Sequence, residues 1–280
     1  MNRNVVLVSF ADSVYVQSLE QIKAETEDFP FTKRYFYTEK DFPKELKENL
    51  HYKKYRRGYG YWRWKSYLVK QVFNTLDEND IIVWSDAGNF WNVKGINRFR
   101  EYLYLADSTD SGIVAFQQPF LEKDYTKGDL LRFLNAYDDM DIVMSLQLWD
   151  GCFIIRKTPV SIAFVNEWES IHLQHYDLIT DKKSVAGNLI GFVEHRHDQS
   201  SFSVLVKKYT HATIPYNEVY DIYHKWDDME FFPIQGKRLR HNDRASWQKA
   251  KGYLLLPYRY LLGLYLILFE KMYFRRKFWF

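Results

Sequence analysis

Asp80-Ile81-Ile82-Val83-Trp84-Ser85-Asp86-Ala87-Gly88-Asn89 is an apolar, β-rich run that stops abruptly on a carboxylate and a glycine. In open α/β sheets ligands sit beyond the carboxyl ends of the strands, so Asp86 stands where a ligand would be. An aspartate after a strand is also a common turn residue, and its meaning depends on what the rest of the chain folds beside it. Outward from this run the pattern alternates. Val5-Val6-Leu7-Val8-Ser9-Phe10, bounded by Ala-Asp-Ser, reads as a buried strand leading to a helix over 15–24. A strand over 31–37, a short helix over 43–49 and a longer helix ending near position 76 precede the Asp86 strand. After it come a helix over 96–105, strands over 113–116 and near 152–156, and a helix over 160–171. This alternation predicts an α/β fold with a mainly parallel central sheet covered on both faces.

The 280 residues and 33.9 kDa suit one large domain with an interior big enough for such a sheet. Charged residues at 27% and hydrophobic ones at 46%, with few Gly and Pro, exclude disordered and collagen-like classes. A single cysteine, Cys152, rules out an intramolecular disulfide, and no Cys/His cluster has zinc spacing. The N-terminal residues lack the form of a signal peptide, so the expected location is the cytoplasm. The 52 aromatic residues (22 Tyr, 21 Phe, 9 Trp) exceed what a core requires and suit surfaces that meet sugars, bases or membrane interfaces. Net charge is +3, yet residues 251–280 carry +5, leaving 1–250 slightly acidic. A nucleic-acid partner is therefore not expected.

Four further blocks carry chemistry. Gly58-Tyr59-Gly60-Tyr61-Trp62-Arg63-Trp64-Lys65 opens the helix before the Asp86 strand, with glycines that permit close backbone approach and cations that can meet phosphate. Trp149-Asp150-Gly151 precedes a core strand and offers a stacking face and a hydrogen-bond acceptor. Glu194-His195-Arg196-His197-Asp198-Gln199-Ser200-Ser201 opens a helix, with Asp198 also suited to be its N-cap. His195 and His197, two apart, would face opposite sides of an extended segment, which argues against a shared metal. Gly236-Lys237-Arg238-Leu239-Arg240-His241 is a late basic loop.

In their order along residues 5–245, these blocks resemble bacterial capsule and lipopolysaccharide glycosyltransferases of the GT-A type and are similar to retaining galactosyltransferases. The resemblance implies a Rossmann-like nucleotide-sugar domain over 1–250. It implies a nucleotide-diphosphate sugar donor bound by Ser9, Phe10, Tyr61, Trp64, Lys65 and Asp86. Asp198, Gln199 and Asp150 would act at the sugar, and Trp149 would meet a glycan or lipid-linked acceptor. A divalent cation, Mn²⁺ or Mg²⁺, would be held by Asp86 and His241. The second carboxylate of the family's Asp-x-Asp is Gly88 here, which puts that metal in doubt. Two rivals follow from this departure and from the aromatic surface: an inactive sugar-nucleotide or glycan-binding subunit, and a membrane-associated interaction protein.

The last thirty residues combine an apolar run from 253 to 269, broken by Pro257 and Arg259, with six Lys and Arg. The run is too short and too interrupted to span a bilayer. Its charge and aromatics suit a segment lying on an anionic leaflet, giving a peripheral protein on the inner face of the cytoplasmic membrane.

Overall fold

The structure is a computed structural model that describes residues 3–221 and 226–237 and, in the tail, only positions 261, 264, 265 and 268. Eight strands are described, in chain order β1 (Val5–Phe10), β2 (Lys33–Tyr37), β3 (Ile81–Ser85), β4 (Phe90–Trp91), β5 (Ile113–Leu121), β6 (Leu146–Arg156), β7 (Ala212–Ile214) and β8 (Ile234–Gln235). Six form one sheet in the order β2-β1-β3-β6-β5-β7, and β4 pairs with β8. Only β6 runs against the other five, so the expected mainly parallel sheet is present with one reversed strand.

Successive strand residues point to opposite faces, and both faces are buried. Val6 and Val8 of β1, Ile82 and Trp84 of β3, and Phe153 and Ile155 of β6 join one core, with helices Trp64–Asn74, Pro159–Gln174 and His197–Val206 laid over it. Val5 and Leu7, Ile81 and Val83, and Cys152 and Ile154 join a second core, closed by helix Ile96–Asp107. Much of the aromatic surplus is spent here: Phe29, Phe31, Trp91 and Phe99 form a cluster of edge-on contacts in the second core.

Chain order sets the site. From β1 the chain crosses to β2 on one side and returns to β3 on the other, so the order reverses between β1 and β3. A crevice at such a switch point, beyond the carboxyl ends, is where open α/β sheets bind ligands. Because β6 is antiparallel, its first half lies at that same edge, with Ser85 opposite Cys152 and the Asp86 amide donating to the Gly151 carbonyl at 2.8 Å. The last sheet strand before the second long helix therefore begins six residues earlier than expected, and Trp149 and Asp150 lie within β6 rather than in a turn before it. Among the described residues no helix is long and apolar enough to cross a membrane, and nearly all of the tail lies outside them.

Candidate functional site

A cleft of about 650 Å³ opens at the switch point, with Phe10, Ala11 and Asp12 after β1 on one side and Asp86, Ala87 and Gly88 after β3 on the other. Its floor is ionic. Lys65, only 1% exposed, places Nζ 2.7 Å from Asp150 Oδ2, 3.0 Å from Asp198 Oδ2 and 3.3 Å from Asp86 Oδ1, and also 3.3 Å from the Asp150 carbonyl. Three carboxylates from three elements thus converge on one ammonium. Burial alone would strip the proton from Lys65, but Asp150, Asp198 and Asp86 outweigh it and hold the ammonium above its ordinary range. Asp150 and Asp198 also hydrogen-bond each other and divide their protons unequally. Burial first, then the Asp150 charge, pushes Asp198 well above the usual carboxylate range. The same burial opposes ionisation of Asp150, yet Lys65 and the bond from Asp198 prevail and its pKa is lowered. The two carboxyls are thus pushed in opposite directions, with the proton held more readily on Asp198 than on Asp150.

Gln199 is oriented from behind. The buried Glu122 carboxylate accepts from Thr126, Ser203, Lys207 and the Gln147 Nε2. With its amide nitrogen turned toward Glu122, Gln147 presents Oε1 to Gln199, whose Nε2 donates to it at 2.6 Å. A carboxylate can only accept, so this chain fixes the sense of both amides and leaves the Gln199 carbonyl oxygen toward the cleft it lines. His172 braces the same floor, bridging Ser66 at 2.9 Å and Ser201 at 2.8 Å. Burial, aided by the nearby Arg63 charge, lowers its pKa to about 3, so it is neutral.

The rim is of another kind. Gly58, Tyr59, Gly60, Tyr61 and Trp62 all have positive φ, between 53° and 95°, and form one left-handed helical turn with Tyr61 N donating to the Arg57 carbonyl and Trp62 N to that of Gly58. Each non-glycine residue held this way costs about 1–2 kcal/mol, which surrounding contacts must offset. Tyr59 stacks on Tyr52 at 4.9 Å, Trp62 on His197 at 5.6 Å, and the Trp64 Nε1 donates to the Gly58 carbonyl at 3.0 Å. The glycines are required: a Cβ on Gly60 would lie 2.7 Å from the Leu50 carbonyl oxygen, and one on Gly58 would meet the Trp62 ring. The turn aims Tyr59 and Trp62 into the cleft and brings Arg56 and Arg57 to its mouth, with Arg196 also lining it.

Of the residues singled out in the sequence, Phe10, Trp64, Lys65, Asp86, Trp149, Asp150, Asp198 and Gln199 all line this cleft. Ser9 and Tyr61 do not: Ser9 is fully buried with its hydroxyl unpartnered among the described residues, and Tyr61 donates to Asp181 at 2.8 Å behind the rim. His241 lies outside the described residues. Asp198 is not an N-cap, since the helix begins at His197 and its first-turn carboxylate faces Lys65 instead. His195 and His197 lie on a loop and a helix start, not on a strand, because backbone carbonyls of Leu178 and Ile179 take one ring nitrogen of each. Arg63 does not meet phosphate; it is buried against the carbonyls of His172, Leu173 and Asn49. Asp12, Arg56, Arg57 and Gln147 have no assigned role in the sequence, and Tyr59 and Trp62 belong to the glycine-flanked block there without one of their own. Asp12 was open to the strand-end rule that found Asp86.

A divalent cation at Asp86 is poorly served by the described donors. Asp86 Oδ1 already accepts from Trp84 Nε1 at 2.9 Å and faces Lys65, and Gly88 supplies no side chain. Among the described residues no group of three His, Cys, Asp or Glu is placed to hold a metal ion. The described set does not fit one.

No protein-family model matches the chain, and no curated protein matches it in sequence. Among solved structures it is similar to a glycosyltransferase involved in glycosylation of the major capsid of PBCV-1, at 10% identity over 88% of this chain and 99% of that one, with a TM-score of 0.49. It is similar to the galactosyltransferase LgtC in complex with donor and acceptor sugar analogues, at 12% identity over 90% and 95% of the two chains and a TM-score of 0.49. Mouse xyloside xylosyltransferase 1 aligns at 10% identity over 84% and 97%, with a TM-score of 0.43. At such identities and scores, activity and substrate have to be argued from the cleft itself.

Proposed function

We propose that the protein is a glycosyltransferase that moves a hexose from a nucleoside-diphosphate sugar to a glycan acceptor. The observation that carries this reading is the cluster of buried Asp150 and Asp198 and half-exposed Asp86 on Lys65, set at the switch-point edge of the sheet beneath an aromatic and guanidinium rim. Sugars are polyhydroxylated and nearly flat on one face, so they are recognised by paired carboxylates and amides beside aromatic rings. Asp86, its side chain 43% exposed, offers its second oxygen to donor hydroxyls. The Asp198 carboxyl and the Gln199 side-chain amide stand at the sugar. Arg56 and Arg57 offer guanidiniums to the diphosphate, the group for which their planar fork is suited.

In the transfer, the bond from the anomeric carbon to the diphosphate oxygen breaks with its electron pair leaving on the diphosphate, and the acceptor hydroxyl oxygen bonds to the same carbon. The hydroxyl proton leaves to a basic oxygen at the site, with ionised Asp150 at hand for it. Retention of configuration is the outcome that the sequence resemblance favours. The same resemblance supports a lipid-linked acceptor in bacterial surface-polysaccharide assembly, with the tail on the cytoplasmic leaflet. Leu261, Leu264, Tyr265 and Leu268, the described tail positions, are helical, exposed and spaced along one face.

A screen of UDP-, GDP- and dTDP-sugars for binding and for release of nucleoside diphosphate tests the reading. Release that depends on an added glycan acceptor is the expected result. Donor binding without turnover on any acceptor would instead make this an inactive sugar-nucleotide-binding protein.

A further inference from the structure

The three carboxylates of the cleft floor come from the end of β3, from β6 and from the first turn of helix His197–Val206, and they aim at one point. The atom at that point is Lys65 Nζ, with oxygens at 2.7, 3.0 and 3.3 Å from the side chains and one more at 3.3 Å from the Asp150 carbonyl. These are ammonium distances; a divalent ion draws its oxygens in to about 2.0–2.6 Å. Four oxygens already surround three ammonium protons, so Lys65 has none to spare for a diphosphate. A divalent ion entering the same cluster would sit within a few ångströms of a buried like charge, where repulsion is strong. Trp84 Nε1 also occupies the Asp86 oxygen that faces the cluster. Positive charge for an anionic ligand lies elsewhere, on Arg56 and Arg57 along the rim.

We infer that Lys65 is the resident cation of this cluster and that the cleft binds a nucleoside diphosphate without a divalent metal. The second half rests on the reading of the cleft as a nucleotide-sugar site, whereas the first half does not. Lys65 acts through the carboxylates it positions, in the place where a bound metal ion would act.

Electron paramagnetic resonance of manganese, titrated to about 1 mM against the full chain, tests the first half. The wild type is expected to leave the free-ion signal undiminished, and Lys65→Met, which keeps the aliphatic volume but frees three carboxylates, is expected to capture the ion. Capture by the wild type, or silence in a folded Lys65→Met, overturns it. Calorimetry on the wild type alone tests the second half and stands even if the variant does not fold. UDP and GDP are expected to bind with dissociation constants that agree within about twofold in EDTA and in excess manganese. Tightening by about tenfold or more with manganese overturns the metal-free claim. Binding of neither nucleotide in either buffer sinks the second half together with the proposed function, and the resonance titration then decides the lysine by itself.

Discussion

The floor and the rim of the cleft are built on opposite principles. On the floor, Lys65, Asp150, Asp198 and Gln199 are all buried, every charge has a named partner, and the supporting shell of Gln147, Glu122 and His172 is itself fully hydrogen-bonded. On the rim, a left-handed turn holds Tyr59 and Trp62 in a costly backbone conformation, and Arg57 reaches the exposed Asp181 at 3.5 Å. Desolvated charges lose several kcal/mol when a partner is removed, whereas exposed pairs contribute little. The floor is therefore preorganised for the reacting centre, and the rim is where binding can adjust. Substitutions of the buried floor residues should damage stability and turnover together, those of half-exposed Asp86 turnover alone, and those on the rim should act mainly on donor affinity.

The contrast breaks hardest at Lys65. Lys65→Met leaves three carboxylates facing one another and is expected to cost about 3–5 kcal/mol in urea unfolding, with turnover lost in the protein that remains folded. Acid is the next test. The folded pKa of His172 is about 3 against 6.5 for an ordinary histidine, so the unfolded chain takes up the proton first as pH falls. Its contribution is complete above pH 6.5 and is lost as pH falls from 6.5 toward 3, an effect of up to about 5 kcal/mol. His195 and His197 are shifted the same way by burial and add to it. The raised pKa of Asp198 has the opposite sign: what it contributes is present at low pH and fades as pH rises above 3.8. Because the two signs oppose each other, the decisive comparison is with a folded His172→Asn: the same pH slope as wild type between pH 7 and pH 4 would contradict the neutral, buried state of the His172 ring.

Gly60→Ala moves to the rim, where a Cβ meets the Leu50 carbonyl oxygen at φ +95°. The expected cost is about 1–3 kcal/mol, with a raised donor KM because Tyr59 and Trp62 lose their aim. Gln147→Leu sharpens the floor: without its oxygen the Gln199 amide is free to turn, and kcat should fall about tenfold at nearly constant donor KM. A merely structural Gln147 would lower the unfolding midpoint and leave kcat of the folded protein intact. The smallest effect on stability belongs to Arg57→Gln, expected within about 0.5 kcal/mol of wild type. Its donor KM should nevertheless rise, and an unchanged KM would remove Arg57 from the diphosphate.

Part of this contrast was legible in the sequence. Strands β1 and β3, their helices and the position of Asp86 follow from apolar runs and an abrupt carboxylate, because periodicity and strand ends are local properties. Helix His197–Val206 was recognised at its start, but not that all ten of its residues are buried, which brings Asp198 and Gln199 over the sheet. The first half of β6 was hidden because Gln147, Asp150 and Gly151 look like a turn. They are tolerated in a buried strand only because Lys65 and Glu122, 85 and 25 residues away, satisfy them. The left-handed turn was hidden for a similar reason: its glycines were visible, but Tyr59, Tyr61 and Trp62 disfavour that conformation and are held there by distant rings.

The central claim is that sugar transfer takes place over the Asp86, Asp150 and Asp198 floor, and Asp86→Asn tests it most directly. Asp86 is half-exposed and lies farthest of the three from Lys65, so its amide should preserve the fold. With the best donor from the nucleotide-sugar screen and a glycan acceptor, the account predicts an unchanged unfolding midpoint and transfer reduced by about a hundredfold or more. Folded Asp86→Asn that transfers sugar at the wild-type rate would place the chemistry elsewhere and contradict the account.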